Sequence, residues 1–407
     1  MNKKFATIDT TKLSDSDAKE FAEFKKIKND FLEEQTKEKQ QLRVYEFYSA
    51  FIDNVKKSSS GVFTKASLKN YTPLNETEGQ IKKRLGLYFA FGIKPSIIEQ
   101  EVTSQVGSIG DLLKYNNMNV DSVRQYIVGD DPNNPAERYY GCNRVEGPDA
   151  LHGTHVSGII AAVRNNNMGI NGIADDVKIM PIRAVPNGDE RDKDIANAIR
   201  YAVDNGATII NMSFGKYYSP DKKLVDEAVK YGQSKDVLLI HAAGNESKNC
   251  DVESSFPNRE LLSGEIANNW IQVGASSYKK GKSMIGDFSN YGKTKVDFFA
   301  PGVDIYSTVC DNKYIEESGT SMASPSAAGI AAIIREYYPE LKANEVRELL
   351  IKTAVPYTKK VKVPGLRKQR LIRRRKTKAV KESMSELCIS GGFVNVNNAV
   401  LELNKKK

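Results

Sequence analysis

Between residues 177 and 245 short apolar runs alternate with amphipathic ones: VKIMPIRAV, DIANAIRYAVDNG, ATIINMSFG, DKKLVDEAVKYGQSKD and VLLIHAAGN. Apolar runs of strand length separated by stretches of helical spacing predict βαβ units. The expected fold is therefore α/β, a parallel sheet with helices on both faces. At 407 residues the chain can hold one large domain of this kind, roughly 250 to 300 residues, with insertions. No internal repeat of fixed period is visible.

Upstream the texture differs. From Ser14 to about Lys57, Phe21, Phe24, Ile27, Phe31, Leu42, Tyr45, Tyr48 and Ile52 recur mostly at spacings of three or four, which predicts an amphipathic helix or helical pair. Ser14 with Asp17 three residues on is a capping pair, and Lys-Ser-Ser-Ser-Gly at 57–61 ends the element. Gly79 to Phe91 and Ile98 to Tyr115 also read as mostly helical. Polar turns after Val128 then lead into the alternating region. The expected division is a mostly helical region over 1–123 and a large α/β domain over 124–403, interrupted by a basic insertion at 359–381.

The formal net charge of +9 is local: residues 359–381 hold twelve Lys or Arg and no acid, which leaves the rest of the chain at −3. A run of this kind is ordinarily solvated. It lacks the interleaved aromatics on which bases stack, so a nucleic-acid partner is not expected, and any polyanion binding would be strongly salt-dependent. No stretch reaches the roughly 18 apolar residues of a membrane span. The start, MNKKFATIDTTKLSDSD, has no apolar core or small-residue cleavage site and does not read as a secretory signal. Cys142, Cys250, Cys310 and Cys388 form no C-x-x-C pair, so buried free thiols are expected rather than a zinc ribbon.

Two runs carry chemistry. HGTHVSGIIAA places His152 at the mouth of an apolar, small-residue helix, and GTSMASP places Ser321 at the start of another. A serine there sits where unsatisfied backbone N–H groups and the helix dipole favour developing negative charge, and Pro325 is tolerated in a first turn. With Ser213-Phe214-Gly215 closing one apolar run and Ala242-Ala243-Gly244-Asn245 another, these segments resemble the subtilase family of serine endopeptidases. The resemblance covers about residues 124–355 and resumes at Gly391-Gly392-Phe393-Val394-Asn395. Smaller matches lie at Phe288–Gly292 and Ala300–Gly302.

The resemblance implies a subtilisin-like fold in which Ser321 is the nucleophile and His152 its general base. Asn245 would hold the oxyanion, with Ser213, Phe214, Gly215, Ala243 and Gly244 lining the cleft for a polypeptide substrate. It also implies an aspartate, within an apolar-apolar-Asp-Ser/Thr-Gly pattern upstream of the histidine, and here the chain departs from the family. The nearest match is Ala6-Thr7-Ile8-Asp9-Thr10-Thr11, which lacks the glycine, while Asp130, Asp131 and Asp149 fall in turn sequences. Residues 14–120 resemble an insertion that some bacterial subtilases carry between the aspartate and histidine motifs. On that reading the chain begins after the aspartate and lacks the first strand as well, which exposes an edge or leaves a slot in the sheet, so that the chain folds poorly or needs a complementing N-terminal segment.

No cofactor is expected. His155 follows His152 by three, one short of H-E-x-x-H, and its glutamate is missing; calcium, which many subtilases bind, is not readable, since no D-x-[DN]-x-[DN]-G loop is present. Family members are mostly exported, so location stays open. Three functions remain: an active endopeptidase, a catalytically impaired relative that binds peptide or completes another chain, and a polyanion-binding protein on the same scaffold.

Overall fold

The computed structural model describes residues 15–90, 92–116, 120–147, 149–186, 190–279, 281–368 and 378–405. The chain divides into two compact units, Met1–Ile127 and Val128–Lys407. Asp9 and the Ser14 cap lie outside the described residues.

The first unit is helical. α1 (Asp15–Lys57) is a single 43-residue helix rather than a pair, followed by α2 (Lys65–Asn70), α3 (Glu76–Ala90) and α4 (Pro95–Asn116). Its core gathers Phe51, Val55, Leu68, Leu85, Phe89 and Val102, at the C-terminal end of α1. Thr64 and Ser67 form a reciprocal capping box that starts α2. The buried Glu78 accepts hydrogen bonds from the Leu74 amide, Tyr71 Oη and Asn54 Nδ2. These donors, the Leu74 amide foremost, hold its carboxyl below the ordinary range against the opposing effect of burial.

The second unit is built on a six-stranded sheet. β1 (Ile209–Met212), β2 (Leu238–Ala242), β3 (Trp270–Ser276) and β4 (Phe298–Pro301) pair in parallel. β7 (Val355–Pro356) and β10 (Gly392–Phe393) complete the order β1-β2-β3-β4-β10-β7, with β10 parallel to β4 and β7 antiparallel to β10. Helices cover both faces, as the alternation requires. α8 (Thr320–Tyr337), α9 (Ala343–Thr353) and α10 (Val396–Asn404) bury Leu238, Ile240, Ile271 and Val273 on one face. α6 (Asp192–Asp204) and α7 (Lys222–Ser234) bury Met212, Leu239 and Trp270 on the other. The period of two thus sends neighbouring residues of each strand into different cores. Each such side chain contributes about 1.5–3 kcal/mol on burial. α5 (Leu151–Ala161) and the hairpin of β5 (Ile305–Val309) and β6 (Lys313–Glu317) lie beside α8.

Three expectations are corrected. VKIMPIRAV belongs to no strand: among the described residues it has no ladder partner, and Ile179, Met180, Ile182 and Val185 are exposed. Of the four cysteines only Cys250 and Cys388 are buried, while Cys142 and Cys310 are exposed; all four are free. The basic insertion is partly ordered, β8 (Val361–Lys368) pairing antiparallel with β9 (Lys378–Glu382). It is anchored because Val361 and Val363 are buried against Met384 and Cys388.

One buried carboxylate ties the sheet to its surroundings. Asp297, fully buried, accepts from Arg259 Nη1 (3.0 Å), Arg347 Nη2 (2.6 Å) and the Gln272 amide (2.7 Å). Removing one partner of such a group strands charges rather than trading them for apolar contact. Asp297→Ala is expected to lower the unfolding free energy by about 3–5 kcal/mol in urea denaturation; near-wild-type stability would show that the two guanidinium groups find other acceptors.

Candidate active site

His152 is the second residue of α5 and Ser321 the second of α8. The two helices pack through Val156, Ile159 and Met322. Val156 lies one turn after His152 and Met322 directly follows Ser321, so this contact brings His152 and Ser321 to the same end of the helix pair. Small residues permit the approach. A Cβ on Gly158 would collide with Thr308 and Ser307 of β5, and one on Gly329 with Ile173. β5 and β6 fix α5 further: Ser307 Oγ donates to His155 O (2.8 Å) and Thr308 Oγ1 to Thr154 O (3.0 Å). The buried His155 ring donates through Nε2, shared between Ile305 O (3.0 Å) and Ile315 O (3.3 Å). His155 is therefore a structural residue, held facing away from ligand chemistry.

The His152 imidazole reaches solvent and, among the described residues, makes no hydrogen bond. Desolvation, then the neighbouring His155, pull its pKa below the ordinary 6.5, while Glu317 and Asp149 oppose them. Asp149 is committed elsewhere, its Oδ1 accepting from the Leu151 amide at the start of α5 (2.9 Å). The ring is thus neutral at neutral pH, as a base must be, but nothing fixes its tautomer or orientation. Ser321 Oγ donates to Ser213 O (3.3 Å), and Ser213 Oγ donates to Ser321 O (2.8 Å), which ties the start of α8 to the end of β1.

Asn245 follows the end of β2 and is turned toward α8 by Thr320. Its Oδ1 accepts from the Thr320 amide (2.8 Å) and Thr320 Oγ1 (3.0 Å), and Thr320 Oγ1 itself accepts from the Gly244 amide (3.1 Å). With its oxygen engaged, the amide group presents Nδ2. The place that a Cβ on Gly319 would take lies 3.7 Å from Asn245 Nδ2 and 3.5 Å from the Ser321 amide nitrogen. That amide, in the first turn of α8, has no intrahelical acceptor. Asn245 Nδ2 and the Ser321 amide nitrogen thus lie near one point beside Gly319, together with Met322 Sδ at 3.6 Å from it, and donors gathered in this way suit an oxygen that gains negative charge. Gly244 has to be glycine: its φ is +105°, and a Cβ would collide with Asn290. Asn290 Oδ1 accepts from the Glu246 and Lys248 amides (3.1 and 2.8 Å), which holds the turn.

The remaining residues assigned to the cleft divide. Ser213, Phe214 and Gly215 lie together at the end of β1, but Ala243 is fully buried and its carbonyl accepts from Asn290 Nδ2 (2.9 Å). Ala243 is thus backing rather than surface, because the turn that presents Asn245 folds over it. Three residues were not legible as site groups. Thr320 orients Asn245; Glu190 Oε1 accepts from the Gly215 amide (3.2 Å); and the buried His241 donates through Nε2 to Phe214 O (2.7 Å). Only a polar residue inside an otherwise apolar strand run, His241 in VLLIHAAGN, could have signalled one of them. No group of three or more His, Cys, Asp or Glu side chains among the described residues is arranged to hold a metal ion, and no described helix is long and apolar enough to cross a membrane.

Residues 93–384 match the model of the subtilase family. A thermophilic serine proteinase of Bacillus sp. (strain AK1) is 43% identical over 185 residues, 45% of this chain and 42% of that protein. The cell wall-associated protease of Bacillus subtilis (strain 168) is 36% identical over 237 residues, 58% of this chain and 24% of its own length. Thermitase of Thermoactinomyces vulgaris is 38% identical over 184 residues, 45% of this chain and 60% of its own. The chain spans less than two thirds of each of these relatives.

Burial holds the His241 imidazole at a pKa of about 4 against an ordinary 6.5. Below pH 6.5 the unfolded chain takes up a proton that the folded chain refuses, so stability falls as pH drops from 6.5 to about 4. The loss attributable to this ring is roughly 3 kcal/mol. His241→Phe is expected to flatten the pH dependence of urea unfolding in that window; an unchanged slope would show that the ring is protonated in the folded state.

Proposed function

The chain belongs to the subtilase family, and from that premise we propose that it is a serine endopeptidase in which, among the described residues, no carboxylate bonds the ring of its base. Ser321 Oγ attacks a peptide carbonyl while His152 accepts its proton. The developing oxyanion takes hydrogen bonds from Asn245 Nδ2 and the Ser321 amide. His152 then returns the proton to the leaving amine, and water releases the acyl group by the reverse sequence. The observation that carries this reading is the turning of Asn245 toward the start of α8 by Thr320, which leaves its Nδ2 and the Ser321 amide nitrogen near one point beside Gly319.

An impaired form of the same chemistry has its own support, the unpartnered His152 ring. Without a carboxylate on its far nitrogen, the imidazole is free to sit in the wrong tautomer and gains nothing when it becomes charged. In subtilisin, removing the aspartate alone lowers turnover by about 3 × 10⁴, against about 2 × 10⁶ for the serine or the histidine. This chain is therefore expected to acylate slowly rather than not at all. The substrate is a polypeptide, the class on which the serine proteinases that this chain resembles act.

A fluorophosphonate probe is expected to label the wild type slowly and at Ser321 only. Ser321→Ala should abolish the signal, and Asn245→Ala should slow it by about 10²–10³. Labelling that survives Ser321→Ala, or a folded wild type that never labels, would refute the reading. Mass spectrometry of the labelled peptide identifies the site.

A further inference from the structure

Two basic segments far apart in the chain meet beside the turn that presents Asn245. Residues 278–286 and 357–381 contain no Asp or Glu. β8 runs alongside Gly281–Ser283, and Ile285 shares the cluster that anchors Val361 and Val363. Because those two valines are buried, the period of two sends Lys362 to the outer face. Its register partner there is Lys381. Like charges directly opposite one another destabilise a strand pair, yet among the described residues neither lysine forms an ion pair, and neither do Lys282 and Lys359. The one acid on the hairpin, Glu382, lies 3.9 Å from Lys360. Lys279, Lys282, Lys359 and Lys381 are exposed.

The hairpin is bent onto that turn. Between the Lys362–Lys381 and Arg367–Ala379 pairs β8 spends four residues where β9 spends one, and this bulge carries Gly365 at a φ of +65°. A Cβ on Gly365 would stand 2.6 Å from Ser247 Cβ, so only glycine lets the backbone rest there. Ser247 lies two residues after Asn245, and its amide donates to Phe288 O (2.7 Å). The acids that flank this contact are engaged. Glu246 accepts from the Asn245 amide (2.9 Å), Tyr217 Oη (2.5 Å) and Asn290 Nδ2 (2.9 Å), and Asp287 is partnered as well.

We propose that the outer face of β8 and β9 around Lys362 and Lys381, with Lys279 and Lys282 of the neighbouring turn, is a recognition surface for a carboxylate-rich stretch of polypeptide. A surface of one sign attracts and orients a partner of the other. No aromatic residue lies between 358 and 381, so the hairpin lacks the platforms on which nucleic-acid bases stack. That the acidic stretch belongs to the substrate rests on the endopeptidase reading; the surface itself does not.

Binding is measured by fluorescence anisotropy on the full chain at low salt, with labelled hexaglutamate and hexaglutamine peptides. Hexaglutamate should bind about tenfold more tightly and lose that advantage in about 1 M salt, where the Debye length falls to about 3 Å. Lys362→Gln combined with Lys381→Gln should weaken it by roughly three- to tenfold, as expected for the loss of exposed ion pairs, and leave fluorophosphonate labelling of Ser321 unchanged. Equal binding of the two peptides, or undiminished binding in the double variant, would overturn the surface. So would a hexathymidylate that binds more tightly than hexaglutamate and is lost in the same variant. In a cleavable peptide, glutamates in place of a flanking run of glutamines should lower KM by a similar factor at constant kcat; an unchanged KM would deny the acidic stretch a place in the substrate. A folded chain that binds hexaglutamate but never labels refutes the endopeptidase reading and upholds the surface, and one that labels but binds both peptides alike does the reverse.

Discussion

The packing of α5 against α8 is the constraint on which the rest of the site depends. α8 is nearly enclosed, with Ala323, Ala327, Ala328 and Ala331 buried against the sheet and Gly329 pressed on Ile173. Its first turn is then fixed relative to the ends of β1 and β2, through the paired Ser213–Ser321 hydrogen bonds and the Thr320–Asn245 contacts. α5 has only to lie along α8 for His152 to arrive at the same end, and the Ser307 and Thr308 hydroxyls of β5 hold it there. A reaction that needs two side chains and two N–H donors together is thus built on helix starts and strand ends, the parts of an α/β fold that free backbone groups already point toward.

Much of this is written locally. The His152 and Ser321 runs combine a reactive residue with the small residues that close packing requires, and both functions of those runs coincide in space. The strands at 209–212 and 238–242 and the helices before them follow directly from periodicity. What was not legible depends on groups distant in the chain. VKIMPIRAV has strand composition, yet a strand exists only with a neighbour, and none is present for it. Thr320, Glu190 and His241 act by bonding residues 75, 25 and 27 positions away. Ala243 reads as cleft lining beside Gly244 but is covered by the turn that Asn290 holds.

Electrostatics at the site are equally asymmetric. Asn245 is oriented by the buried Thr320 hydroxyl, whereas His152 is a partly desolvated imidazole beside a second histidine. The ordered strands of the basic segment are anchored by Val361 and Val363 in a cluster that also holds Ala243, Phe299 and Phe393, and Gly365 lies against Ser247, two residues after Asn245.

The central claim is that the His152 ring is neutral at neutral pH and, among the described residues, has no hydrogen-bond partner. The chain has three histidines, so nitrogen-15 NMR of the selectively labelled imidazoles resolves them all. The account predicts that His152 titrates below 6.5, exchanges between tautomers, and shows no strongly deshielded ring N–H proton. A pKa above that value together with a deshielded Nδ1–H signal would reveal a carboxylate already bonded to the ring, and would contradict the account.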